Sequence, residues 1–263
     1  MIDMDKPEKK GELRLKRSSP LLAMIFLAIA GSFFLFLSFR FNSLLLGLIG
    51  LGFFFFASLL YLIAPRWFFR GEILTSMVNS NLSLLRRLLG PGGFPGKGFY
   101  IPSEDGEIFV FVSKEEALLQ PPESGSIGKK LFSRSPEGIV LSPPGSELLK
   151  TIEDLTGANF DEAELHYALS ILSGAFMELE ISRGFEFIVE RDQVIVRMED
   201  VVGKGFCKEI ELRFPGLCEQ IGCPFCSAIA CIVSKSLGKP VIIDYVDVSP
   251  DGRVTEAVFR VIR

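Results

Sequence analysis

Histidine and tryptophan are almost absent from this sequence, which has one of each in 263 residues. Without a second histidine, a metal or hydrolytic site would have to rely on thiols or carboxylates alone. The single histidine, His166, stands between Leu165 and Tyr167 on a predicted helix. We therefore expect it on a helix surface or between helix and sheet. No pair of acidic residues has a spacing that singles out a general acid and base, so no catalytic residue and no organic cofactor are predicted.

The sequence also lacks a phosphate-binding loop and a basic C-terminal patch. Pro91 and Gly98 stand where a phosphate loop requires Gly and Ser or Thr, which excludes nucleotide binding at residues 90–98. Residues 1–97 contain 12 Lys and Arg against 5 Asp and Glu, whereas residues 98–263 contain 16 against 27. An acidic domain without a basic patch is not expected to bind nucleic acid.

Two apolar runs, at residues 21–39 and 44–64, have no charged side chain and are joined by a four-residue link. At about 1.5 Å rise per residue, each run is long enough as a helix to cross the roughly 30 Å hydrocarbon core of a bilayer. A link this short leaves room only for an antiparallel pair. We predict a transmembrane helical hairpin at residues 21–64, which makes the lipid bilayer the first expected partner.

Basic residues flank the outer ends of this hairpin, while the link contains only Arg40. By the positive-inside rule, a multi-pass protein of the cell membrane with both termini in the cytoplasm is expected. Residues 1–20 form a basic leader without periodicity, which predicts disorder. The side chains expected at the membrane interface are Arg14, Lys16, Arg17, Tyr61, Arg66, Trp67 and Arg70.

Residues 65–97 combine an amphipathic helical pattern with a segment rich in Gly and Pro that is typical of a hinge. Three interpretations of the helix are open. It could lie on the membrane, pair with a second copy of the chain along residues 71–90, or continue the second span as a stalk. A homo-oligomer formed through this helix or through the spans is therefore a further expectation.

Residues 98–263 suffice for one globular domain. Strand patterns predict hairpins within residues 99–113, 185–198 and 241–262, and residues 114–137 read as a long exposed loop. Helices are predicted at residues 146–155, 162–177 and 224–237, with Asp161 and Glu164 as a capping signature for the second. Hairpins interleaved with helices indicate an α+β domain with a mainly antiparallel sheet.

The segment most suggestive of chemistry contains Cys218, Cys223, Cys226 and Cys231. A Cys-Pro-Phe-Cys motif at a helix start resembles the glutaredoxin motif, in which the helix N-terminus acidifies the first thiol. Only 37 residues follow Cys226, too few for the rest of a thioredoxin-like fold. The redox interpretation therefore rests on about six residues.

The same segment allows a metal site or simple packing. Cys223 and Cys226 have the spacing of two zinc ligands, and Cys218 could be a third, with iron as the other candidate metal. The fourth ligand is the difficulty, because Cys231 lies about 140° around the helix from Cys226, which leaves Cys207 or a distant residue. The third interpretation, small buried thiols that let the helix pack closely on the sheet, is the one we favour from sequence.

The order of features along the chain resembles a known family. After the leader, the two apolar runs and the amphipathic segment come residues 98–102, 107–113, 138–145, 176–179 and 238–241, and this order is similar to that of archaeal two-span membrane proteins with a cytoplasmic domain of unassigned function. The shared motifs mark the ends of helices and strands, so the resemblance implies no catalytic residues. It also implies that relatives need not carry cysteine at positions 223 and 226.

Two hypotheses follow. The first is a non-enzymatic, membrane-anchored module whose cytoplasmic α+β domain binds a protein or a small ligand. The second is a membrane-proximal thiol redox or metal-binding protein that uses Cys218, Cys223 and Cys226.

Overall fold

A computed structural model describes residues 20–63, 71–103, 105–116, 118, 120–122, 131–161, 163–202 and 205–262. The chain divides into two compact units, Met1–Phe69 and Arg70–Arg263, and each is considered by itself. Residues 1–19 of the predicted leader lie outside the described residues. The same holds for six of the predicted interface side chains, Arg14, Lys16, Arg17, Arg66, Trp67 and Arg70. Of the predicted interface side chains only Tyr61 lies within the described residues, and it is exposed.

The first unit is a pair of helices, α1 (Pro20–Phe41) and α2 (Leu44–Ile63). They approach closely at Gly31 and Gly50, because a Cβ added at Gly50 would lie 3.0 Å from the Gly31 carbonyl oxygen. The windows Met24–Phe41 and Leu44–Leu62 are long and apolar enough to span a membrane, and each is only 6% buried. The predicted apolar hairpin is therefore present, as two candidate spans.

The second unit contains an antiparallel sheet of eight strands, in the order β3-β4-β2-β1-β7-β8-β6-β5. Its helices pack mainly on one face, which confirms the predicted α+β class and antiparallel sheet. The strands are β1 (Gly98–Pro102), β2 (Ile108–Ser113), β3 (Phe132–Arg134), β4 (Glu137–Leu141), β5 (Gly184–Val189), β6 (Gln193–Glu199), β7 (Val241–Val248) and β8 (Val254–Val261). The helices are α3 (Gly71–Leu89), α4 (Ser146–Thr156), α5 (Leu165–Glu178), α6 (Phe206–Arg213), α7 (Leu217–Ile221) and α8 (Pro224–Leu237).

Helix α8 is the centre of the core. It begins with Pro224 in its first turn and ends at Gly238, whose φ of +59° is the left-handed conformation that glycine adopts most easily. It contacts β1, β7 and β8 on the sheet and α4 and α5 among the helices. The window Leu217–Leu237 is also apolar enough to span a membrane, but it is 83% buried within the protein.

Helix α3 belongs to the second unit, and the later turns of its apolar stripe pack there. Leu82 and Leu89 are 1% exposed and pack in the core of the unit. The Arg86 guanidinium donates to the Pro215 carbonyl at 2.8 Å. The later turns of the stripe are thus covered by their own domain, whereas Met77 on the same stripe is 63% exposed. The amphipathic pattern alone did not specify what covers it.

The Gly/Pro segment after α3 is not a free hinge. The Gln220 side-chain amide donates to the carbonyl of Phe94 at 2.7 Å and to that of Gly96 at 3.1 Å. The Gly96 backbone N–H donates to the Ser113 carbonyl at 3.2 Å. These bonds fix the segment to α7 and β2.

The prediction of a continuous loop at residues 114–137 is wrong in part, because β3 pairs with β4 there.

The capping signature at Asp161 does not start a helix. Helix α5 begins three residues later than predicted, at Leu165, and Glu164 precedes it without a capping bond from its side chain. The Asp161 carboxylate instead lies 3.2 Å from the Lys235 ammonium of α8. Asp161 therefore pairs with a residue of a distant helix and does not cap α5.

Close packing of α8 against the turn before α4 is testable at Gly145. A Cβ at this position would lie 2.2 Å from the Ala228 backbone nitrogen and 2.4 Å from the Pro224 carbonyl oxygen. We expect Gly145→Ala to lower the free energy of unfolding by about 1–3 kcal/mol, the usual cost of overpacking a core. The measurement is chemical denaturation of the full chain in detergent, followed by circular dichroism.

The matched control is Gly174→Ala in α5, where a Cβ meets nothing within 4 Å. Because alanine is the better helix former, this change should leave stability unchanged or raise it by up to about 1 kcal/mol. Equal destabilisation by both substitutions would contradict the packing argument.

Candidate functional site

Four cysteine side chains converge beside the N-terminus of α8. The thiols of Cys207, Cys218 and Cys226 all act on the pKa of the Cys223 thiol. Electrostatic effects also connect Cys218 with Cys207, and Cys226 with both of them. We call these four side chains the thiol cluster.

Three consecutive helices supply the thiol cluster. Cys207 is the second residue of α6, Cys218 is the second residue of α7, and Cys223 precedes α8, which contains Cys226 in its first turn. Gly205 and Gly216, both with positive φ, let the chain turn immediately before α6 and α7. The local backbone therefore brings first-turn side chains of neighbouring helices together.

The thiol cluster is buried and its proton affinities are strongly perturbed. Each sulfur belongs to a residue no more than 5% exposed, and all four cysteines are free. Hydrogen bonding to Cys223, together with burial, raises the pKa of Cys207, Cys218 and Cys226 well above the usual thiol value. The same hydrogen bonds lower the pKa of Cys223 well below that value, against the opposing effect of burial. Cys223 is therefore the thiol of the cluster whose pKa its neighbours lower.

The structure brings together the three cysteines that the spacing identified and adds Cys207. The segment around Cys207 is ambiguous in sequence between helix and strand, so its position could not be predicted. A signal was present, however, since Gly205-Phe206-Cys207 repeats the pattern of Gly216-Leu217-Cys218. Among the described residues, no group of three or more His, Cys, Asp or Glu side chains is arranged to hold a metal ion.

Cys231 is separate from the thiol cluster, as its helical position predicted. Burial raises its pKa, and the neighbours that modify this effect are Lys235, Ser227 and Glu153, none of them a cysteine. It also lies near Tyr100, whose hydroxyl donates to the Ile221 carbonyl at 2.5 Å. Cys231 is therefore a packing thiol in the middle of α8.

A groove of about 430 Å³ lies beside the later turns of α8, and no residue of the thiol cluster lines it. Its walls come from α3, from the turn before β2, from the Ser142–Pro144 loop with α4, and from α8. Leu85, Ile108 and Leu149 supply apolar surface. The charged lining consists of Glu107, Glu147, Lys150, Glu153 and Lys235.

Lys235 anchors the polar end of this groove. Its ammonium lies 2.8 Å from Glu153 Oε1 and 3.2 Å from Asp161 Oδ2, and its side chain is 11% exposed. Burial alone would lower the pKa of Lys235, but the two carboxylates outweigh burial and raise it. Lys150 pairs similarly with Glu147 at 3.0 Å, at the exposed rim. No ion pair engages the Glu107 carboxylate within the part of the chain that the structure describes.

His166 lies on the outer surface of α5, where its ring meets the edge of Phe187 at a centroid distance of 5.1 Å. It lines neither the groove nor the thiol cluster. This agrees with the expectation of a histidine on a helix surface or between helix and sheet.

Comparison with known proteins gives one match. A family model described as "Domain of unknown function (DUF7982)" matches residues 8–258. No curated protein and no solved structure matches the chain. The match covers both apolar helices and nearly all of the second unit, so the two occur together in one family.

Cys231 provides a pH-dependent test of the buried interior. Since its folded pKa is raised, the unfolded chain loses this proton above about pH 8.5 while the folded chain keeps it. The free energy of unfolding should therefore fall as the pH rises, by up to about 1.4 kcal/mol per pH unit for this thiol. We expect Cys231→Ala to lose less stability than wild type between about pH 7 and pH 9.5. Denaturation at both pH values measures this difference, and an unchanged pH dependence would contradict it.

Proposed function

The chain belongs to the DUF7982 family, and we propose that it is a non-enzymatic, membrane-anchored binding module. In this proposal α1 and α2 cross the cell membrane, both termini lie in the cytoplasm, and the α+β domain holds a small ligand in its groove. The groove is the single observation that carries the binding role. The family description assigns no function, so the proposal rests on the residues of this chain.

Two observations support the anchor. Windows in α1 and α2 are uncharged apart from Arg40 and are almost unburied, whereas the third apolar window, in α7 and α8, is covered by protein. An apolar helix that its own domain already covers has no need of lipid. The basic residues concentrated at the outer ends of the two apolar helices support the proposal that both termini lie on the cytoplasmic side.

The lining of the groove supports a small ligand with an apolar body and a cationic group. A volume of about 430 Å³ is within the range of small-molecule pockets. Leu85, Ile108 and Leu149 offer apolar contact, while the Glu107 carboxylate has no ion-pair partner among the described residues. The lining holds three carboxylates against two lysines, and this excess of negative charge favours a cationic group on the ligand, although the Glu107 charge also acts on Lys150.

Thiol redox chemistry is the weaker alternative. A catalytic thiol must reach its substrate, and both Cys223 and Cys226 are 1% exposed. A homo-oligomer through α3 has less apolar surface available than its sequence suggests, since Leu82 and Leu89 pack in the domain core. Association through the spans is the other form of this proposal.

Blocking the groove tests the ligand. Asn81 is exposed on α3 and lines the groove, so we expect Asn81→Trp to fill part of it without disturbing the core. Protein purified from its native membranes is denatured, and the released small molecules are quantified by mass spectrometry. Asn81→Trp should reduce the content of a co-purifying compound at least about fivefold relative to wild type, which is about 1 kcal/mol of binding free energy.

The matched control is Ser80→Trp, because Ser80 is exposed on the same helix and does not line the groove. This variant should retain the wild-type content of the compound. Equal content in the two variants would contradict binding in the groove.

Orientation is tested with single introduced thiols. The native cysteines are buried, so an impermeant maleimide should label the wild type little. We expect Asn42→Cys, in the link between spans, to be labelled in intact cells, and Arg253→Cys to be labelled only after lysis. The reverse pattern would refute the proposed orientation.

A further inference from the structure

We infer that a second copy of this chain pairs with the edge of the sheet at β5, so that the two sheets continue across a two-fold axis. The inference is independent of the proposed groove, because no residue of β5 lines it. It rests on the open backbone of this edge, on the apolar side chains beside it and on the charge pattern of the strand.

Strand β5 is the last strand of the sheet and pairs only with β6. The Glu190 N–H donates to the Gln193 carbonyl at 2.8 Å, which fixes the phase of the ladder. Because hydrogen-bonded pairs alternate along antiparallel strands, Ile188 also bonds to β6, whereas the backbone groups of Phe187 and Val189 point away from the sheet. Among the described residues, neither of these two N–H groups has a backbone partner beyond the ladder. The edge therefore offers donors and acceptors to another strand.

The opposite edge of the sheet is built differently. Strand β3 has only three residues there, and a very short edge strand is one of the devices by which proteins prevent pairing with another chain. Strand β5 has six residues, contains neither lysine nor proline, and pairs with β6 in an unbroken register. The edge at β5 thus lacks the protection that the edge at β3 has.

Apolar side chains are exposed on both faces of the β5 edge. Ile188 is exposed on the face away from the helices, and Tyr167 and Met177 are exposed on α5. Helix α5 lies over this edge, because the Ser173 hydroxyl, one turn before Met177, donates to the Phe185 carbonyl at 3.3 Å. A strand docked at β5 would therefore gain apolar contact from both faces.

The charges of β5 select one register with a second copy. When two antiparallel strands meet with Phe187 opposite Phe187, Glu186 of each copy faces Ile188 of the other. Moving the axis to Ile188 places Glu186 opposite Glu190, and moving it to Glu186 places this carboxylate opposite itself. Like charges directly opposite each other destabilise a sheet, so the register centred on Phe187 is favoured. In this register the strand is complementary to itself, which favours a second copy as the occupant.

The remaining pairs are compatible with this register. Phe185 lies opposite Val189 on the helix face, where both side chains are apolar. Arg183 meets Arg191 beyond the ends of the strand, and both are exposed. Repulsion between them is therefore screened by water and salt.

Introduced cysteines test the pairing in the native membrane. In this register positions 186 and 188 of the two copies form a non-hydrogen-bonded pair, with Cα atoms about 4.5 Å apart and within reach of a disulfide. Two copies of a single position are diagonal neighbours about 7–8 Å apart, which is too far. Under mild oxidation, the double variant Glu186→Cys/Ile188→Cys should give at least about fivefold more disulfide-linked dimer than either single variant.

Wild type is the further control, because its cysteines are buried and should give no covalent dimer on a non-reducing gel. The absence of a dimer from the double variant would overturn the inference. An equal yield from Ile188→Cys alone would overturn the register, and a cross-link to a different protein would overturn the second copy as the occupant.

Charge substitutions at Ile188 provide a second test. This side chain is 60% exposed, so neither Ile188→Glu nor Ile188→Lys should disturb the fold. In the dimer, glutamate at this position faces Glu186 of the other copy, whereas lysine forms an ion pair with it. Ile188→Glu should therefore have a dimer dissociation constant at least about tenfold higher than Ile188→Lys. Sedimentation of the full chain in detergent measures both constants. Because the two variants keep the same spans, the difference reports on β5, and equal constants would overturn the inference.

Discussion

The burial of α8 is the constraint on which the second unit depends. From Cys226 to Ser234 every residue of this helix is buried, so each side of it needs a surface of matching shape. The sheet supplies one surface, α4 and α5 supply another, and the Gly145 turn closes the approach because it has no side chain. Two buried serines of the helix have backbone partners. The Ser227 hydroxyl accepts from the Gly145 N–H, and the Ser234 hydroxyl lies within donating distance of the carbonyls of Tyr100 and Lys239.

Both candidate sites follow from this arrangement. The first turn of α8 supplies Cys226 to the thiol cluster, and its later turns supply Cys231 and Lys235 to the wall of the groove. A rigid helix therefore fixes the position of two sites that share no residue. The charge of Lys235 is held within the core by Glu153 and Asp161, which come from α4 and from the segment after it.

Local signals in the sequence predicted the elements that depend on local physics. Pro224 and Gly238 bounded α8, and alternating apolar residues defined the strand pairs β5–β6 and β7–β8. Elements decided by distant residues were not predictable in this way. Asp161 forms an ion pair with Lys235, which is 74 positions away, and does not cap α5. The apolar pattern of α3 could equally be covered by lipid, by a second copy or by its own domain. Cys207 could be named from sequence only as an open alternative, because tertiary packing and not spacing brings it to the other three cysteines.

The place of β7 and β8 in the sheet has a consequence for biosynthesis. These are the last strands of the chain, yet they stand between β1 and β6 and so join the two halves of the sheet. Until they leave the ribosome, α8 has no complete surface to cover its apolar side, and its 21-residue window resembles a membrane span to the insertion machinery. The domain can close only once β7 and β8 have been synthesised, and a chain that lacks both strands would expose this helix.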